Sequence, residues 1–389
     1  MPLISQETAV NLENASGRIS RETACELMRS GDHDLPELLA AAQAARARFK
    51  PRVVTYSRKV FIPLTNLCRD YCGYCTFRRD PNQPGAHTMT PDEVMEVVRA
   101  GERLRCTEVL FSLGDKPELL FPEMRDTLRH LGYKSTLHYL EAMCGKVLRE
   151  SSLLPHPNPG LMSAAWLERL ACVAPSVGLM LETTSTRLQE RGAAHDNAPD
   201  KEPAKRLRVL EDAGRLKIPF TTGILIGIGE TPEERVDALA AIRELHERYG
   251  HIQEVIVQNF RAKPATPMAN CAEPDRNDML RTLAVARLMM PTMNIQAPPN
   301  LSDPHYADLL DGGINDWGGI SPLTPDFINP EKPWPHIDEL RARTGAKGFE
   351  LRQRLPVYDE FVAMAERHGG LLGERLRERA CRAGSGGSA

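Results

Sequence analysis

Val60-Phe61-Ile62-Pro63-Leu64-Thr65-Asn66-Leu67-Cys68-Arg69-Asp70-Tyr71-Cys72-Gly73-Tyr74-Cys75-Thr76-Phe77 is the stretch on which the reading of this chain turns. A short apolar run, 60–64, reads as a strand that delivers the chain into a loop carrying three thiols in C-x3-C-x2-C spacing. Three thiolates on one short loop can each bind one iron of a cubane [4Fe–4S] cluster, and such clusters normally take four cysteines. Stopping at three leaves one iron open to a small molecule. Structural zinc is a poorer match, because closed sites want four ligands. The nearest downstream histidine is His87, and no second C-x2-C follows. Free cysteines are usually buried and dispersed, so three within eight positions argues against unrelated thiols. A disulfide framework also fits badly, since the nine cysteines are an odd number in a long chain without a secretory signal. Cys25, Cys106, Cys144, Cys172, Cys271 and Cys381 read as structural or inert.

Outward from the loop, helix and strand signals alternate. Residues 20–49 read as two short helices in an N-terminal extension, 1–50. Thr90-Pro91-Asp92-Glu93 is a helix start: threonine caps, proline suits the first helical position, and glutamate at the third closes a capping box. Thr231-Pro232-Glu233-Glu234 repeats the device. Helices are predicted near 91–104, 122–130, 136–150, 163–172, 203–213, 232–248 and 275–289. Strands are predicted at 107–112, 176–182, 219–227, 254–258 and 293–297, with a short one among the prolines after Leu153. Such alternation implies a parallel sheet, because parallel pairs need crossovers and helices cover them. Roughly six or seven βα units give an α/β fold, a partial or complete (β/α) TIM-like barrel over 51–300. Function is then expected at strand C-terminal ends, where Cys68, Gly114, Glu182 and Gly227 fall.

From residue 300 the texture changes. Residues 311–322 read as an irregular, glycine-rich loop, and a proline-rich tract runs to Pro335. Leu351, Leu355, Tyr358, Phe361 and Ala365 recur at helical steps, interrupted at Pro356. The segment 301–383 therefore reads as a loop and helical extension closing the barrel. Residues 384–389 read as a flexible linker or tail.

With 389 residues and 41% apolar content the chain can bury a large core. Lysine and arginine number 49 against 52 acidic residues, a balance of −3, so no nucleic-acid footprint is present. The N-terminus lacks a basic region followed by an apolar one, and no apolar stretch approaches membrane-spanning length. These features argue against nucleic-acid and membrane partners. They point to a soluble, reducing, cytoplasmic setting, which suits an oxygen-sensitive cluster.

The cysteine loop resembles the signature of the radical S-adenosylmethionine (SAM) superfamily. Longer strings are more specific: Tyr56-Ser57-Arg58-Lys59 running into the cysteine loop, Gly114-Asp115-Lys116-Pro117-Glu118, Leu154-Pro155-His156, Glu182-Thr183-Thr184-Ser185, Gly223-Ile224-Leu225-Ile226-Gly227-Ile228-Gly229-Glu230, and Asp316-Trp317-Gly318-Gly319-Ile320-Ser321-Pro322. Together, over residues 50–360, they resemble the radical SAM subunit of FO synthase, which makes 7,8-didemethyl-8-hydroxy-5-deazariboflavin (FO), the chromophore of coenzyme F420. The resemblance implies a lyase. Its substrate would be 5-amino-5-(4-hydroxybenzyl)-6-(D-ribitylimino)-5,6-dihydrouracil, made by a partner radical SAM enzyme. SAM would be cleaved to 5′-deoxyadenosine and methionine, with ammonia released. A low-potential electron donor and the partner FO synthase subunit 2, separate or fused, are implied as well.

The same resemblance implies site residues. Cys68, Cys72 and Cys75 would ligate the cluster. Gly114 and Asp115 would face the methionine moiety of SAM, although the plainer superfamily pattern there is Gly-Gly-Glu. Glu182, a carboxylate ending an apolar strand, needs a partner; a ribose diol would serve, and so would Arg187 or Arg206. Tyr74 reads as an adenine-side or core aromatic, and Gly227 as a backbone position that lets an adenine approach, in a string without G-x-G-x-x-G. For substrate, His156 sits among prolines, and Trp317 offers a flat face beside the polar Asn315 and Asp316. A core tryptophan plugging the barrel mouth is the alternative. His138, in a helical stretch, reads as a surface or core residue, and Arg78 and Arg79 as solvated charges. Two rival functions stay open: another radical SAM enzyme, such as the tyrosine-activating partner or a menaquinone-pathway relative, and a non-enzymatic cluster or heme carrier on the same fold.

Overall fold

Nine parallel strands organise residues 18–385, the part of the chain that the computed structural model describes. The extreme N-terminus, the side chain of Cys381 and the tail residues 386–389 lie outside the described residues. The strands are β1 (Val53–Thr65), β2 (Glu108–Leu113), β3 (Leu154–Asn158), β4 (Val177–Gly178), β5 (Phe220–Ile226), β6 (Ile252–Asn259), β7 (Ile295–Gln296), β8 (Asp316–Ile320) and β9 (Glu350–Arg354). Eight of them lie in the order β3-β2-β1-β8-β7-β6-β5-β4, and β9 pairs with the first half of β1. All seven residues of β5 are buried, as a parallel strand covered on both faces requires. Both Thr-Pro-x-Glu starts form complete capping boxes, opening helices Pro91–Arg103 and Pro232–Tyr249.

The barrel is nearly closed. Its two ends, β3 and β4, lie side by side without a backbone ladder. Side chains join them instead: His156 Nδ1 lies 2.7 Å from Ser176 Oγ, and that hydroxyl donates to Pro356 O at 2.7 Å. The hydroxyl has one hydrogen, so Nδ1 must carry the other and donate it. Burial pushes the His156 pKa down to about 4. His156 is therefore a stitch across the seam, and it does not line the cavity described below.

The C-terminal third departs from expectation. Residues 311–322 are not an irregular loop: the 3-10 turn Tyr306–Gly312 leads into β8, which completes the sheet between β1 and β7. The barrel thus runs past residue 300. Leu351 lies on β9 rather than on a helix; the apparent helical spacing spans a strand, the 3-10 turn Asp359–Phe361 and the short helix Val362–Glu366. Val357, Tyr358, Phe361 and Ala365 pack with Leu148, Leu154, Leu372 and Leu376 as a second core below the barrel. Register with β1 places Asp316 opposite Thr55, at the N-terminal end of the barrel. There Asp316 pairs with Arg354, which also meets Glu254 at 3.3 Å.

Candidate active site

The cysteine loop leaves β1 immediately after Thr65 and is held from three sides. Gly114 N donates to Thr65 O at 2.9 Å, and Arg69 N to Asp115 O at 3.2 Å. Tyr71 N and Gly73 N reach Asn197 O and Ala194 O, both at 2.8 Å. Met268 N donates to Gly73 O at 3.0 Å. The loop can lie against the end of β2 only because residue 114 lacks a side chain. A Cβ there would stand 1.9 Å from Leu67 O and 2.6 Å from Cys68 Cβ.

Cys68, Cys72 and Cys75 are half-buried and line one cavity of about 330 Å³ at the C-terminal mouth of the barrel, within the size range of small-molecule sites. Cys68 Sγ accepts from Asp115 N at 3.2 Å and Asp70 N at 3.4 Å, a geometry that favours thiolate. Burial, with Asp70 nearby, otherwise pushes this thiol up to about 12, and burial raises Cys72 well above its ordinary value. Metal ligation is what makes thiolate favourable at such positions. The three sulfurs do not gather within 4.8 Å of one another. A single tetrahedral zinc with 2.3 Å bonds would need them about 3.8 Å apart. A cubane takes one thiolate per iron and accepts the wider spacing, so the donor set fits a [4Fe–4S] cluster. Among the described residues, the side chains that do converge within that limit are Asp70, Asp115 and Asp200. Arg69 and Lys116 already compensate that cluster, Arg69 with two bonds to Asp200 and Lys116 at 2.8 Å from Asp115. Burial raises Asp115 to about 6.

Also lining the cavity, Glu182 sits just past β4 with a left-handed φ of 66°. Its carboxylate accepts from Tyr74 Oη at 2.5 Å, from Lys201 Nζ, and stands 3.2 Å from His195 Nε2. Burial would raise its pKa, but Lys201, the His195 hydrogen bond and Arg206 together hold it well below the carboxylate range. Glu182 is thus an anion facing the cavity, and neither expected arginine binds it directly: Arg187 pairs with Glu234, and Arg206 donates to Met180 O and Asp200 O.

The structure brings Cys68, Cys72, Cys75, Tyr74, Gly114, Asp115, Glu182 and Trp317 to one cavity, and leaves four expected site residues out of it. Gly227 turns away, because a Cβ there would meet Pro274 Cγ at 2.3 Å; its N–H is bound by Glu230 at 2.8 Å. His156 is the seam stitch. Asn315 serves the opposite end, bonded to Arg287 and Ile295 N at 2.8 and 3.0 Å. Asp316 is the Arg354 partner. Trp317 touches the cavity with one face, but it is 1% exposed, donates to Thr344 Oγ1 at 3.0 Å and meets the Tyr306 ring edge-on at 5.6 Å. Its geometry is that of core packing. Arg78, expected in solvent, instead lines the cavity with its guanidinium over Tyr71. Asn158, Gln258 and Gln296 line it too and carried no sequence signal beyond being polar residues in strands; Lys59 also lines it, from one of the strings that carry the resemblance but with no role read for it, and so does Lys201, at the end of a 3-10 turn far from any strand.

The Radical SAM superfamily model matches residues 62–242. Among solved structures, the barrel superposes on the [FeFe]-hydrogenase maturase HydG of Carboxydothermus hydrogenoformans with a TM-score of 0.70, at 17% identity over 96% of this chain and 92% of that one. Methylornithine synthase (PylB) gives 0.68 at 20% identity over 88% and 96%. Those two likenesses show the fold; the class, a radical SAM enzyme, comes from the matched family. An FO synthase of Streptomyces avermitilis is 52% identical over 88% of this chain but only 41% of its own length. The 7,8-didemethyl-8-hydroxy-5-deazariboflavin synthase of Methanopyrus kandleri is 49% identical over 84% of this chain and 98% of its own. The chain belongs to the 7,8-didemethyl-8-hydroxy-5-deazariboflavin synthase family, and it spans about two-fifths of the length of the longer FO synthases it matches.

Proposed function

We propose that this chain catalyses the ring-closing step that yields FO from the aminohydroxybenzyl ribitylimino dihydrouracil adduct. The observation that carries the reading is the convergence, on one cavity at the strand C-termini, of an incomplete thiol set, an anionic Glu182 and a floor of amides and aromatics. Cys68, Cys72 and Cys75 would hold the [4Fe–4S] cluster, which with SAM supplies an electron and a hydrogen-abstracting 5′-deoxyadenosyl radical. Gly114 brings the β2 turn against the cysteine loop, next to where the methionine moiety would lie, with Asp115 behind it. Glu182 and Tyr74 offer an acceptor and a hydroxyl to the ribose. Asp326, Asn329 and Trp334, from the segment after β8, wall the cavity against water. The adduct would come from a partner radical SAM subunit. The length relation is compatible with this: the matched part is 41% of the S. avermitilis FO synthase but 98% of the M. kandleri relative. A low-potential donor must supply the electron. No described helix is long and apolar enough to cross a membrane.

The test is an anaerobic assay of reconstituted protein with SAM, a reductant and the adduct, read by mass spectrometry. FO, 5′-deoxyadenosine and methionine are expected. Adduct formation from tyrosine and a diaminouracil would make the chain the tyrosine-activating partner instead, and no 5′-deoxyadenosine with any substrate would make it a carrier.

A further inference from the structure

One buried cation faces the cavity without a polar partner. Lys59, on β1, is 6% exposed and, among the described residues, makes no hydrogen bond and no ion pair. Its Nζ lies against ring faces, 4.9 Å from Trp334 and 5.5 Å from Phe61. The charged groups nearest it are otherwise engaged. Glu108 on β2 accepts from Ser57, Glu254 on β6 pairs with Arg354 on β9, and Asp326 takes the N–H groups of Ile328 and Asn329 and the amides of Asn300 and Asn329. Burial lowers the Lys59 pKa. A buried ammonium with no acceptor is costly, and an acceptor can come only from the cavity side.

The Gly318-Gly319 pair makes room for this arrangement. A Cβ on Gly319 would stand 2.3 to 2.6 Å from Lys59 Cδ, Cε and Nζ, and one on Gly318 would stand 2.0 Å from Gln296 Nε2. The two glycines therefore admit two polar tips to the barrel floor. The Gln296 side chain also has no hydrogen bond among the described residues, and Gln258 lines the same floor.

We propose that Lys59 and Gln296 form the subsite for the pyrimidinedione ring of the substrate, with the lysine donating to a ring carbonyl oxygen. This rests on the ring-closing reading above. A pyrimidinedione edge alternates carbonyl and N–H; a carboxamide can match both, and an ammonium matches the carbonyl. Phe61 and Trp334, whose rings hold the ammonium, add apolar wall to the subsite. After ring closure the phenol of the product is conjugated to the same dione, so its anion is delocalised onto the carbonyls. The Lys59 charge would stabilise that anion.

The product is the probe. FO is titrated into reconstituted enzyme, with affinity read by its fluorescence and its bound ionisation by absorbance. Lys59→Met should weaken FO binding roughly tenfold or more and raise the pKa of bound FO by about one unit. Iron content, Tm and SAM affinity should hold. Gly319→Ala, which displaces the lysine tip without removing it, should weaken binding in the same direction. If Lys59→Met folds, binds FO as wild type does and leaves its ionisation unchanged, Lys59 is a packing residue and the proposal is overturned. Failure of wild-type enzyme to make FO from the adduct would overturn the ring-closing reading itself; FO production with an unaltered KM in Lys59→Met would overturn only the subsite.

Discussion

Glu182 combines a left-handed backbone, burial and three polar neighbours. For a non-glycine residue that conformation costs of order 1 kcal/mol; two bonds to β5 hold the backbone, Glu182 N to Gly223 O at 2.9 Å and Leu225 N to Glu182 O at 3.0 Å, while Lys201, Tyr74 and His195 ring the carboxylate. A ribose diol would replace or share those bonds, so the residue has both a structural and a ligand-facing side. Two substitutions separate them. Glu182→Gln keeps the size and loses the charge, and should weaken SAM binding by about 1–2 kcal/mol, roughly tenfold in Kd, with cluster content intact. Lys201→Met leaves the carboxylate charged, with Tyr74 and His195 but no ammonium beside it, and should lower Tm while weakening SAM binding less than Glu182→Gln does. Equilibrium SAM binding alongside thermal unfolding reads both. Unchanged affinity in Glu182→Gln would leave the residue a purely structural anion.

At the scale of elements, the contact between the β2 turn and the cysteine loop is the tightest in the site, and Gly114 is its condition. Gly114→Ala must push the loop away from β2, an overpacking that costs about 1–3 kcal/mol. Wild-type protein should reconstitute with about four irons. The variant is expected to retain its helical circular dichroism and fall to less than half that iron; full iron loading would show that the loop yields without losing its ligand geometry. The loop, its preceding strand and the capped helices were legible in the sequence because their signals are local: a spacing of thiols, an apolar run, a Thr-Pro-x-Glu start. β8 was not, since Gly318 and Gly319 carry little strand propensity and serve side chains from β1 and β7. β9 was hidden by a chance helical spacing. With β8 unread, nothing local could tell which end of it Asn315 and Asp316 occupy, and they proved to be at the end away from the cysteines. His195, Lys201 and Lys59 share that invisibility, because each acquires meaning only from groups distant in sequence.

Taken whole, the molecule is a barrel that hydrogen bonds leave open at one seam, between β3 and β4, and side chains close it. His156, Ser176 and Pro356 connect β3, the start of β4 and the C-terminal segment, and Gln253 on β6 donates to the same Pro356 carbonyl at 3.0 Å. Global stability should therefore carry the titration of His156. Its pKa falls from the ordinary 6.5 to about 4 in the folded chain, where burial excludes the imidazolium. Between those values the unfolded chain binds a proton that the native one refuses. The contribution is fully present above pH 6.5 and is lost as pH falls toward 4, by about 3 kcal/mol at most. His251, pushed down to about 3 by burial, adds a similar dependence, but it does so in wild type and variant alike and cancels in their difference. His156→Gln retains a donor for Ser176 and does not titrate. It should be less stable than wild type at pH 7.5, and the gap should narrow steadily as pH falls from 6.5 to 4.5, measured by urea unfolding of the cluster-free protein under reducing conditions. Because His156 lies outside the cavity, the reconstituted variant should still cleave SAM at pH 7.5. A stability gap that stays constant with pH would mean that the folded chain protonates His156 as readily as the unfolded one, so that burial does not exclude the imidazolium. Loss of SAM cleavage with unchanged stability would instead place His156 in the chemistry rather than in the wall.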